Sequence, residues 1–93
     1  MTGVVFPPNP ACARAMRDAG IDAMAALDHA VAAAIEGLAP EQAREIKLAF
    51  GRTMSAVMDM MINPAVKAFP ELRPDESTWI SVAKSRAAER SGR

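Results

Sequence analysis

"EIKLAFGRTMSAVMDMMIN", residues 45–63, decides the fold. It contains no proline, stops at Pro64, and repeats apolar residues at intervals of three and four. A helix turns about 100° per residue, so such residues return to one face. Ile46, Phe50, Met54, Val57 and Met61 form that face. Met58 and Met60 flank it on opposite sides, while Glu45, Arg52, Asp59 and Asn63 gather on the far side. Methionine is unbranched and fills irregular gaps, so Phe50, Met54, Val57 and Met61 read as a core stripe. Thioethers also suit Cu(I). No histidine or cysteine stands near these methionines in sequence, which argues for packing over a metal.

The same segment carries a second apolar seam. Leu48, Gly51, Ser55, Met58 and Ile62 repeat at 3-4-3-4 spacing, offset from the first stripe by about a third of a turn. Gly51 and Ser55 are small and four residues apart, which permits a neighbouring backbone to come close. A helix in a simple hairpin needs one apolar face, and this one has two. Either the other helices of the chain cover the second, or another chain does.

Working outward, this helix begins at Pro40, with Glu41 suiting the positive end of its dipole. Pro64 is expected to stop or kink it, and a further turn can follow over "PAVKAF". Upstream, Asn9 and Pro10 are a good helix start, and a helix is predicted from Pro10 to about Gly37. Its apolar face is Ala13, Met16, Gly20, Met24, Leu27, Val31, Ala34 and Leu38. Gly20 is either a site of close helix approach or a break, with Asp22 re-capping a second helix. Residues 1–9, with Pro7 and Pro8, read as an extended and removable arm. "FPELRP" reads as a stiff extended connector. Asp75 then caps a third helix over 76–90, with Trp79, Ile80, Ala83 and Ala87 on its apolar side, and residues 91–93 fray.

Composition limits the core this pattern can build. Of 93 residues 51% are hydrophobic, yet 20 are alanine; four leucines, five isoleucines, three phenylalanines and one tryptophan are the large core formers. Hydrophobic gain scales with buried apolar area, about 25 cal/mol/Å², and alanine has little to bury. Such a chain makes one thin domain, 10–90, and the thin core favours a second chain over the second seam.

Net charge is zero, so no bulk field draws the chain to nucleic acid or an anionic membrane. The one cysteine, Cys12, cannot form an intrachain disulfide, and no stretch approaches the length of a membrane span; a cytoplasmic protein is expected.

Few residues suggest chemistry. Asp18, Asp22, His29 and Glu36 form a narrow stripe opposite the core face of the first helix. A metal or acid–base pair on one helix needs partners three or four residues apart, and the neighbours of His29 at those offsets are alanines. The stripe therefore reads as a solvated face or an acidic contact for a partner. Lys84, Arg86 and Arg90, with Arg93, give the third helix a basic end. Basic residues there complement the helix dipole, and one tryptophan is too few aromatics for a nucleic-acid platform. Cys12 lies 17 residues from the lone histidine, too far along one helix for a nucleophile–base pair. No catalytic residues, metal ligands or cofactor are assigned.

These readings converge on an all-α protein of three helices, a long antiparallel hairpin plus a shorter C-terminal helix. Dimerisation of two hairpins would give a four-helix-bundle-like assembly. The expected role is non-enzymatic: a protein–protein interaction module such as an accessory, regulatory or inhibitor-like subunit, acting as a homodimer. The alternative is a small bundle that holds an apolar ligand in a methionine-lined interior.

Overall fold

The computed structural model describes residues 6–92 and is all-helical over them. Helix α1 spans Pro10–Ile35 and α2 spans Pro40–Val57. A π-helical turn, Met58–Ile62, leads into the short α3, Asn63–Ala68. One 3-10 turn, Pro70–Leu72, precedes α4, Glu76–Ser91. Val57, Met58, Ile62 and Asn63 all keep right-handed helical angles, so α2, the π turn and α3 run on as one rod. The chain thus has the three helices that its periodicity predicts.

The ends are set by local chemistry. Asn9 Oδ1 accepts the Cys12 backbone N–H at 2.8 Å, and Pro10 follows where a missing N–H costs nothing. Gly37 ends α1 with φ +78°, a left-handed conformation that favours glycine. Before α2, the Gln42 side-chain carbonyl accepts the Ala39 N–H at 3.2 Å. Asp75 Oδ1 caps α4 by accepting the Thr78 N–H at 2.8 Å.

Helix α1 is unbroken at Gly20, where the chain's close helix approach occurs. A Cβ there would lie 2.6 Å from Ile62 Cγ1 and 3.3 Å from Met61 Cβ. At Gly51, by contrast, a Cβ would meet nothing within 4 Å. The expected backbone contact at Gly51 is therefore not made within the chain.

Pro64 does not stop the helix. Proline lacks an N–H, and its ring would collide with the carbonyl four residues back, that of Met60. The preceding turn widens instead, and the Asn63 N–H donates to the Met58 carbonyl five residues back. This wider turn holds more residues, so it swings Ile62 round toward α1. Ile62 is 2% exposed, packed on Gly20.

Two expectations about the proline-rich segments need correction. "FPELRP" is not an extended spacer: it folds into the 3-10 turn, and Leu72 is buried with Ala13 and Ala65. Arg17 ties that turn down by donating from Nη1 to the Leu72 carbonyl at 3.1 Å. Nor are residues 6–9 a detached arm, because Pro7 is fully buried. Residues 1–5 of the expected arm and Arg93 of the expected frayed tail lie outside the described residues.

The packing divides the molecule. Helix α1 contacts α2, the π turn, α3, the 3-10 turn and α4, whereas α4 lies on α1 and not on α2. Besides Pro7, the buried apolar side chains among the described residues are Ala13, Ile21, Ile62, Ala65 and Leu72, these five at the base where the helices converge. From residue 22 to residue 61 nothing is buried. Toward the turn at Gly37 the chain is two helices lying side by side, and each covers one side of the other. Phe50 shares a cleft with Leu27, Met54 shares one with Met24, and Met61 lies beside Gly20, yet the whole stripe, Val57 included, reaches only half-burial.

Candidate interaction surface

The five residues of the second seam have different fates. Ile62 belongs to the base core. Met58 is half-buried in a cleft it shares with Val66 and Trp79. Leu48 is 51% exposed, and Gly51 and Ser55 are exposed beside it. The lower end of the seam is covered by the chain's own helices, and the upper two-thirds is open.

Below the open part runs an apolar groove of about 340 Å³. Ile21, Met24 and Asp28 of α1 form its floor, Met54 of α2 one wall, and Trp79 and Ile80 of α4 the other. Ile80 is 53% exposed. The groove exists because α4 packs on α1 alone, leaving an angle between α4 and α2 with no helix in it. Asp28 is an isolated carboxylate among these apolar side chains.

The acidic stripe and the basic helix end meet each other. Arg90 Nη1 donates to both carboxylate oxygens of Asp22, at 2.9 and 2.8 Å. Asp18 pairs with its neighbour Arg17 at 2.8 Å. Both sites are partly exposed, so each pair contributes at most about 1 kcal/mol. The Arg90–Asp22 pair orients α4 along α1 more than it stabilises it. His29 and Glu36 remain exposed with no ion-pair partner among the described residues, Lys84 is exposed, and Arg86 lies half-buried near Asp18 and Glu89.

One titratable group is clearly perturbed. The Asp75 carboxylate is held below its ordinary pKa of 3.8 by the Thr78 backbone N–H, then by the Thr78 and Ser77 hydroxyls at 2.9 Å each. This is a helix cap, since all three donors belong to the first turn of α4. Cys12 is a free, half-buried thiol at the start of α1. Among the described residues, no three His, Cys, Asp or Glu side chains cluster as a metal site. No described helix is long and apolar enough to cross a membrane.

Sequence reasoning missed Arg17, Ile21 and Asp28. Arg17 and Ile21 border the predicted apolar face of α1, where a wheel drawn for one neighbouring helix assigns them to solvent. Two neighbours on different sides of α1 bring them in. Asp28 is one position from Leu27, at the edge of the same face.

The whole surface is large for the chain's size. A compact protein of 9.9 kDa exposes about 5,200 Å², whereas this chain exposes 6549 Å². Its radius of gyration is 15.6 Å, against about 12 Å for a compact fold of 93 residues. No protein-family model matches the chain, and neither a curated protein nor a solved structure shows significant similarity to it.

Proposed function

We propose that this chain is a non-catalytic helical interaction module that works as an oligomer, in the manner of an accessory or regulatory subunit. The observation that carries this reading is the absence of any buried residue in α2, an 18-residue helix with two apolar stripes. Apolar surface of this extent on a small protein marks a contact site. The residues in hand supply little acid–base chemistry: the lone histidine is exposed on a helix of alanine neighbours. Because Asp22 and Arg90 satisfy each other, the apolar faces are better candidates for contact than either charged strip.

Native mass spectrometry of the purified protein tests the reading. Assembly into dimers or a larger species at micromolar concentration is the expected result. A monomer of 9.9 kDa at every concentration, with no bound companion from its host, would refute it.

The groove favours a second reading, an apolar ligand seated on Ile21, Met24 and Met54. Ligand sites of about 300–1,000 Å³ ordinarily enclose most of the ligand, and this groove is open along one side. Added mass in the native spectrum, or thermal stabilisation by long-chain hydrophobic compounds, would favour the ligand over the protein partner.

A further inference from the structure

We infer that a second copy of this chain covers the open face of the hairpin, related by a two-fold axis running along the hairpin, so that α1 of each copy lies against α2 of the other. The inference rests on the oligomeric reading above and names its partner and its geometry.

Area is the first argument. The chain exposes about 1,300 Å² more than a compact protein of its mass. That excess is of the order of the ~800 Å² per partner that a stable interface buries. The face that would be covered is one surface, reaching from Leu48 and Gly51 at the top to Met54 and Ile80 in the groove.

Charge is the second, and it is independent. On this face α1 carries Asp28, while α2 carries Arg44 and Lys47 beside the seam; all three are exposed. Among the described residues the ion pairs are Arg17–Asp18 and Arg90–Asp22, and none of the three takes part in either. A two-fold along the hairpin preserves height and exchanges the helices, setting the acidic edge of α1 on the basic edge of the other copy's α2. The contact then repeats itself, as an isologous interface requires.

The register agrees with this placement. Leu27 shares a cleft with Ala49, Phe50 and Thr53, so residue 28 of α1 is level with about residue 50 of α2. Lys47 is about three residues from that level, or about 4.5 Å along the axis, within the reach of a lysine side chain. Asp28 of one copy and Lys47 of the other therefore stand opposite each other, twice per dimer. Gly51 and Ser55 add no bulk between the helices, and the partner's α2 fills the angle that α4 leaves open.

Charge reversal in mixtures tests this. Asp28→Lys sets two lysines face to face at both contacts of its own dimer, and Lys47→Glu sets a glutamate against Asp28 at both. Each variant alone should raise the dimer dissociation constant at least ~tenfold, because like charges facing each other disfavour the complex. In the heterodimer of the two variants, one contact is the wild-type pair and the other is the same pair with its charges exchanged, so neither contact is repulsive if one is read from Asp28→Lys to Lys47→Glu and the other back. Native mass spectrometry of an equimolar mixture should therefore show the heterodimer and little of either homodimer. Both side chains are exposed, and unchanged circular dichroism would verify that each variant stays folded. A dimeric wild type whose variants dimerise equally well alone and mixed would overturn this geometry while leaving oligomerisation intact. A monomeric wild type up to ~100 µM would overturn both, since ordinary dimers are populated well below that concentration.

Discussion

The base of the molecule and its distal hairpin share α1 and the rod that begins with α2, but differ in how many neighbours each helix has. At the base, α1 is surrounded by the π turn, α3, the 3-10 turn and α4, and Ile21, Ile62 and Leu72 lose nearly all contact with water. Toward the turn at Gly37, α1 and α2 have each other alone, and even Val31 and Ile46 stay half-exposed. Apolar periodicity is equally good in both regions. What separates burial from exposure is the third layer, and in the distal region this chain does not provide one.

Core substitutions should separate the regions most sharply. Ile62→Ala leaves a cavity in the base and should cost about 2–5 kcal/mol in denaturant unfolding. Leu48→Ala, in the distal region, should change the stability of a single chain by less than ~0.5 kcal/mol, while weakening its association. Equal costs at the two positions would erase the distinction.

The two glycines give the next contrast. Gly20→Ala places a methyl 2.6 Å from Ile62 Cγ1, and this overpacking should destabilise by about 1–3 kcal/mol despite alanine's better helix propensity. Gly51→Ala meets nothing and should stabilise the single chain by up to ~1 kcal/mol. Gly51→Leu should likewise fold, but should dissociate the dimer. Thermal melting and native mass read the two effects separately.

Smaller effects concern α4, which is attached to the base without a buried residue of its own. Asp75→Ala should fray its first turn and lower helical circular dichroism. Acid should do the same in the wild type. The folded pKa of Asp75 lies below its unfolded value near 3.8, so the cap is fully present above that value and is lost as pH falls below about 4 through the folded pKa. Smallest of all is His29→Ala, an exposed position where a change within ~0.5 kcal/mol is expected.

Much of this was legible in the residues. The helix starts at Asn9–Pro10 and Asp75, the stop at Gly37 and the stripe from Phe50 to Met61 all follow from local rules, because a cap or a period needs no knowledge of the rest of the chain. The π turn was not legible. Pro64 announces a disturbance, but whether the helix ends, kinks or widens depends on what burying Ile62 against Gly20 is worth. Leu72 was hidden for a similar reason: Pro70 and Pro74 on either side suggest a spacer, and only packing against Ala13 and Ala65 makes folding back favourable. The second seam was legible as a surplus of apolar surface, though not as to which part the chain would cover itself.

Hydrogen exchange across a dilution series tests most directly whether the upper hairpin depends on a second copy. Amides of residues 26–57 should be protected at high concentration and exchange faster as the protein is diluted, while those of α1 and the π turn around Gly20 and Ile62 keep their protection. Protection of the upper hairpin that equals the base at every dilution would contradict the account.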